Sequence, residues 1–139
     1  MPITPTPQEI LEHLQAHEEE FLDLCSELVA IEIPSPDATA TRRVLDRLTP
    51  EREQLGFRHR LSKPAKSGGF LFARPAGRRR HRPTQLLLGH VDTVWPLGTL
   101  ESRPWSVEDR VARGPGVFDM KAGIAQILFA LRTLQDLGL

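Results

Sequence analysis

Thr84-Gln85-Leu86-Leu87-Leu88-Gly89-His90-Val91-Asp92-Thr93-Val94 is the stretch on which the fold turns. Its first half, Gln85 to Leu88, is a short, continuously apolar run, the pattern of a strand covered on both faces. His90 falls where that strand ends, and ligands of open α/β sheets bind just outside the carboxyl ends of strands. Residues two apart in extended chain point the same way, so His90 and Asp92 share a face. One imidazole nitrogen can then hold a metal while the carboxylate takes the other N–H, the arrangement that fixes a ligand histidine's tautomer. The competing reading is a polar strand end at which Asp92 opens a turn.

Downstream, Arg113-Gly114-Pro115-Gly116-Val117-Phe118-Asp119-Met120-Lys121-Ala122-Gly123 reads as a tight loop framed by glycines. It leads into a helix expected from about Met120 to Leu137, with Ile124, Ile127, Leu128, Leu131 and Leu134 as its buried stripe and Gly138 as its C-cap. Asp119 falls at the helix start, where the dipole favours an ionised carboxylate whose two oxygens can bridge two metal ions. The competing reading makes Asp119 a plain N-cap. Taken together, a strand-end His-x-Asp and a glycine-framed aspartate form two walls of one candidate site.

Upstream, Thr6-Pro7-Gln8-Glu9 is a helix start with a capping box and proline at the first helical position. A helical stripe follows through Ile10, Leu14, Phe21, Leu22, Cys25, Leu28 and Val29, and Pro34 and Pro36 end it. Asp37 caps a second helix carrying Val44, Leu45, Leu48 and Leu55, with Pro50 kinking or splitting it and Gly56 closing it. Strands are expected at Phe57 to Leu61, Phe70 to Ala73 and Thr84 to Leu88. The order helix, helix, strands, long loop, helix predicts an α/β fold with a mixed twisted sheet flanked by helices. A helix at the end of such a chain ordinarily leads into another strand, so the C-terminus reads as an interruption.

The chain has 139 residues, 40% hydrophobic and 26% charged. This is ordinary globular composition and excludes extended disorder, collagen-like repeats and a disulfide-rich miniprotein. The longest apolar stretch, Ile124 to Leu131, is far shorter than the ~20 residues of a membrane span. The start lacks the basic and apolar regions of a signal peptide. Cys25 is the sole cysteine, which leaves neither an internal disulfide nor a thiolate zinc cluster. A cytoplasmic protein with no membrane partner is the expectation.

Eighteen acidic and eighteen basic residues cancel overall, but nine acids and no Lys or Arg precede Arg42, whereas Arg42 to Arg82 holds thirteen bases and three acids. The densest run, Arg78-Arg79-Arg80-His81-Arg82, reads as a solvated loop rather than a nucleic-acid arm. His13 and His17 stand one helical turn apart among Glu12, Glu18, Glu19 and Glu20 and read as a solvated face. His59 and His81 have basic neighbours. Trp95 and Trp105 flank the loop after Asp92 and are expected to pack beneath it. There is no nucleophile elbow, phosphate loop or dinucleotide fingerprint.

Three segments carry a specific resemblance: Gly89-His90-Val91-Asp92-Thr93-Val94, Pro104-Trp105-Ser106-Val107-Glu108, and Gly114-Pro115-Gly116-Val117-Phe118-Asp119-Met120-Lys121-Ala122-Gly123. Leu28-Val29-Ala30-Ile31 with Pro34-Ser35 adds to it. From about Phe21 onward the sequence resembles the co-catalytic zinc hydrolases that include glutamate carboxypeptidase, acetylornithine deacetylase, succinyl-diaminopimelate desuccinylase and aminoacylase, and most of all the glutamate carboxypeptidase branch. The resemblance implies two zinc ions, with cobalt or manganese also acceptable to such ligands. It implies that His90 ligates one ion, Asp92 orients His90, Asp119 bridges both ions, and the Asp119–Met120 peptide is cis. The implied activity is hydrolysis of an amide bond in small peptides or N-acyl amino acids, with a glutamate as general base.

The paired glutamates, the further acidic ligand, the second histidine and the inserted dimerisation domain of that family have no counterpart in these 139 residues. Residues 1–139 therefore read as a partial catalytic domain, inactive by itself, with homodimerisation belonging to a longer form. The alternative is a non-catalytic chain, a pseudoenzyme or interaction module that binds through an unfinished sheet edge.

Overall fold

The structure, a computed structural model, describes residues 4–35, 37–62, 68–77 and 81–139. Helix α1 (Pro7–Ala16) begins at the expected capping box: the Thr6 hydroxyl accepts from the Glu9 amide, and the Glu9 carboxylate accepts from the Thr6 amide at 2.6 Å. The single long helix of the stripe is two helices, because His17 breaks it. Its Nδ1 faces the His13 carbonyl at 2.7 Å, and its amide turns back to Leu14. Helix α2 (Glu18–Ala30) resumes beyond it and buries Leu24, Cys25, Leu28 and Val29. Cys25 is a core residue, and burial pushes its thiol up to about 11.

Helix α3 (Ala38–Arg47) is capped by the Asp37 carboxylate, which accepts from the Thr39 and Ala40 amides. Pro50 does split the pattern: a short helix α4 (Thr49–Gln54) carries it in its first turn, and Gly56 closes the run at φ +67°. Pro36, the second expected helix stop, lies outside the described residues, as do Arg78, Arg79 and Arg80 of the basic run.

The described residues form two small two-stranded sheets in place of the expected mixed twisted sheet. Strands β1 (Phe57–Ser62) and β2 (Phe70–Pro75) form an antiparallel hairpin pairing Phe57 with Pro75 and Ser62 with Phe70. Strands β3 (Ser106–Glu108) and β4 (Val111–Arg113) form a second, separate hairpin. The expected strand Thr84 to Leu88 has no ladder partner among the described residues. Leu86, Leu87 and Leu88 stand 77%, 54% and 81% exposed. The apolar pattern marks a segment suited to double-sided cover, but a strand exists only where a neighbour takes up its backbone groups. A parallel bridge nearby joins Pro34 to Thr93.

The β3–β4 hairpin replaces part of the expected long loop. Its turn places Asp109 and Arg110 at φ +50° and +63° without a glycine, so the usual hairpin signal is missing from the sequence. A short helix α5 (Thr99–Ser102) precedes it.

The chain ends in helix α6 (Ala122–Asp136), with Gly138 at φ +71° behind it. Its buried residues are Ala125, Leu128, Phe129 and Thr133, whereas Leu134 of the expected stripe is exposed. This helix is apolar on more than one side, and contact with α2 decides which side is covered; Phe129 meets Phe21 edge-on at 5.5 Å. The core joins α2, α3, the start of α4 and α6 through Leu24, Cys25, Leu28, Ile33, Val44, Leu48, Leu128 and Phe129. No helix among the described residues is long and apolar enough to cross a membrane.

Candidate metal centre

Two close approaches bring the motif segments together. A Cβ on Gly89 would lie 2.6 Å from Ile124 Cδ1 and 3.1 Å from Met120 Cε, so glycine lets this backbone lie against the start of α6 without displacing those side-chain ends. The next residue is thereby set beside the glycine-framed loop, and the His90 amide donates to the Met120 thioether at 3.4 Å. On the other wall, Gly116 stands at φ +76°, and a Cβ there would lie 2.4 Å from Thr93 Cγ2.

The Nε2 atom of His90 lies 2.9 Å from Asp119 Oδ1. The Nδ1 atom lies 3.0 Å from the Asp92 carbonyl oxygen and 3.3 Å from Asp92 Oδ1. The ring thus faces acceptors at both nitrogens and satisfies both only as the imidazolium. Burial pulls its pKa down, but the Asp119 hydrogen bond, the Asp92 carbonyl and both carboxylate charges outweigh that and raise it. Asp92 is held below the usual carboxylate range, chiefly by a hydrogen bond from the Ser35 hydroxyl and, against the effect of burial, by its own backbone and His90.

Asp119 is not the N-cap of α6. Lys121 occupies that position, and Asp119 has extended backbone at φ −128°, ψ 94°. Its side chain is 76% exposed and points to His90 instead of to the helix amides. The Asp119–Met120 peptide is cis.

An imidazole nitrogen and a carboxylate oxygen side by side at hydrogen-bond distance fit a zinc-type ion, which accepts both donor types. His90 Nε2 and Asp119 Oδ1 would hold such a cation, and the Asp92 carbonyl and carboxylate would keep the proton on His90 Nδ1. Among the described residues no group of three or more His, Cys, Asp or Glu side chains is arranged to hold a metal. His90 and Asp119 thus offer two donors, fewer than the about three protein ligands that a catalytic zinc needs.

His13 and His17 have partners of their own: they stack on each other at 4.4 Å, and His13 faces Asp136 at 3.4 Å. Trp105 packs against the core, whereas Trp95 carries the Arg103 guanidinium 5.0 Å from its ring centre. A groove of about 630 Å³, lined by Ile10, Leu14, Phe21, Phe129 and Leu134 among others, contains none of His90, Asp92 or Asp119.

Sequence reasoning passed over Glu32 and Lys121. The Glu32 carboxylate accepts from the Gly98 and Leu100 amides at 2.8 and 3.0 Å. The Lys121 ammonium is buried and donates to the Ile31 carbonyl at 2.8 Å. A signal existed for Glu32: it is a lone acid inside Ala30-Ile31-Glu32-Ile33-Pro34, where an unpaired charge would be costly.

Residues 86–139, which include all three motif residues, match the family model described as Peptidase family M20/M25/M40. The chain is 36% identical over 113 residues to carboxypeptidase G2 of Pseudomonas sp. (strain RS-16), an overlap of 80% of this chain and 27% of that protein. It is 33% identical over 135 residues to the N-formyl-4-amino-5-aminomethyl-2-methylpyrimidine deformylase of Halalkalibacterium halodurans, 91% of this chain and 31% of that protein. The chain therefore spans less than a third of the length of either relative.

Proposed function

This chain belongs to Peptidase family M20/M25/M40, and on that premise we propose that it forms the metal-binding part of a zinc-dependent peptidase or amidohydrolase. The proposed substrates are small peptides or N-acyl amino acids. The names of both relatives support this choice, one being a carboxypeptidase and the other a deformylase of an N-formyl compound.

The observation that carries the reading is the pairing of His90 Nε2 with Asp119 Oδ1 at 2.9 Å, with Nδ1 turned to Asp92. In this reading His90 and Asp119 hold metal, and Asp92 keeps the Nδ1 proton in place so that Nε2 presents its lone pair. Zinc, when bound, supplies Lewis-acid activation of an amide carbonyl and of water. With two ligands from these residues, the 139-residue chain binds metal weakly and does not hydrolyse amides on its own.

Calorimetric titration of the chain with Zn²⁺ and Co²⁺ tests the assignment. Binding that His90→Ala and Asp119→Ala each remove supports it; binding unchanged in both variants refutes it.

A second reading has an observation of its own. Leu86, Leu87 and Leu88 are exposed and have no ladder partner among the described residues, which makes this segment a template for strand addition by another polypeptide. Under that reading Leu87→Lys abolishes self-association or partner binding and leaves metal binding intact. Sedimentation of parent and variant separates the two.

A further inference from the structure

The segment joining α2 to α3 bonds to residues that flank the candidate centre on both sides, Thr93 and Lys121. The Ile31 carbonyl accepts from Lys121 Nζ, and the Glu32 carboxylate accepts from the Gly98 and Leu100 amides. The Ile33 carbonyl accepts from the Thr93 amide at 2.8 Å, and the Ser35 amide donates to the Thr93 carbonyl at 3.2 Å. Five consecutive residues thus hold the end of the His90 segment, the loop after it and the loop carrying Asp119.

Lys121 is the unusual member. It is 2% exposed, two residues from Asp119, and its stem lies 3.4 Å from where a Gly116 Cβ would be. A buried ammonium is unfavourable unless it makes a specific bond. Here it reaches the carbonyl of Ile31, the C-cap of α2, where the helix dipole favours a cation. Glu32, next along the chain, adds the complementary charge and spends its two oxygens on the turn that starts α5.

We propose that Lys121 and Glu32 are positioning residues, which tie the Asp119 loop and the loop after Asp92 to the end of α2 so that the gap between His90 and Asp119 is set as one unit. The inference rests on the reading of His90 and Asp119 as metal ligands for its functional meaning, but the mechanical tie is testable without metal.

Two variants of the full chain, Lys121→Met and Glu32→Gln, suffice. In metal-free protein, Lys121→Met should speed amide hydrogen exchange, corrected for intrinsic rates, at position 121 and at Thr93 about tenfold, and Glu32→Gln should do so at Gly98 and Leu100, with the α2 amides unchanged. With Co²⁺, each variant should bind about tenfold more weakly and show an altered visible spectrum, as removal of an outer support does. Exchange equal to the parent's at these amides overturns the tie, whether or not the chain binds metal. Faster exchange with unaltered Co²⁺ affinity and spectrum overturns the positioning role and leaves only a structural one. If Lys121→Met fails to fold, Glu32→Gln carries both measurements. Failure of the metal reading itself shows separately, as Co²⁺ binding insensitive to His90→Ala.

Discussion

His90 and Asp119 are 29 residues apart in sequence, yet Nε2 of one lies 2.9 Å from Oδ1 of the other. That contact joins the two motifs into one donor pair. It also sets the order of effects expected from substitution. His90→Ala and Asp119→Ala should each abolish measurable zinc binding. Asp92→Asn should weaken it by about tenfold, because the Asp92 backbone carbonyl continues to hold Nδ1. Calorimetry of the three variants checks this order.

The imidazole of His90 titrates above its ordinary value in the metal-free chain. A folded pKa above the unfolded one contributes stability that is complete below about pH 6.5 and is lost as pH rises through the folded value. Asp119→Asn should therefore lower the His90 pKa in an NMR titration and flatten this loss. Metal competes with the Nε2 proton, so zinc affinity of the parent should rise across the same pH window.

Glu32 behaves in the opposite sense. The Gly98 and Leu100 amides, against the effect of burial, lower its pKa, with Thr99 and Lys121 adding to them. A depressed carboxylate pKa gives stability present above the unfolded value near 4.5 and lost as pH falls through the folded value. Acid unfolding followed by circular dichroism should show a shallower limb for Glu32→Gln than for the parent.

Gly116 and Gly138 both stand at positive φ, but their surroundings differ. A Cβ at Gly116 collides with Thr93, whereas at Gly138 it meets nothing within 4 Å. Gly138→Ala should cost about 1 kcal/mol, the backbone term alone. Gly116→Ala should cost a further ~1–3 kcal/mol from overpacking and should also weaken zinc binding. Urea denaturation of both variants gives the comparison.

Arg52 is buried, and its Nε, Nη1 and Nη2 have no hydrogen-bond partner among the described residues. Burial lowers its pKa despite the Glu53 charge. Replacing an uncompensated buried charge with an apolar side chain of similar length removes a desolvation penalty. Arg52→Met should raise stability by ~1–2 kcal/mol, visible as a higher urea midpoint at unchanged slope.

Local chemistry was readable without coordinates. The Thr6–Glu9 capping box, the Asp37 cap, the break at Pro50 and the closing turns at Gly56 and Gly138 are set by residues within a few positions of one another. Strands β1 and β2 were legible from their residue pattern, and they find each other as neighbours along the chain. The two motif segments were legible for the same reason: Gly89-His90-Val91-Asp92 and the glycine-framed Asp119 loop each carry their donors and their backbone permission in consecutive residues.

What lay beyond the sequence depended on partners far along the chain. Gln85 to Leu88 has the composition of a covered strand, but pairing needs a neighbour, and none lies beside it among the described residues. Of the stripe expected on α6, Leu128 is buried and Ile124, Ile127 and Leu131 are half-buried, but Leu134 is exposed, because the helix offers more than one apolar side and tertiary contact selects between them. Glu32 and Lys121 passed for an ordinary acid and an ordinary lysine, since each bonds backbone groups 66 to 90 residues away. The sequence by itself determined which residues can donate to a metal and where helices start and stop, because those properties are local. Only the tertiary structure decided that His90 faces Asp119, that Asp119 is no helix cap, and that one short segment behind them holds both, because packing of distant elements fixes those distances.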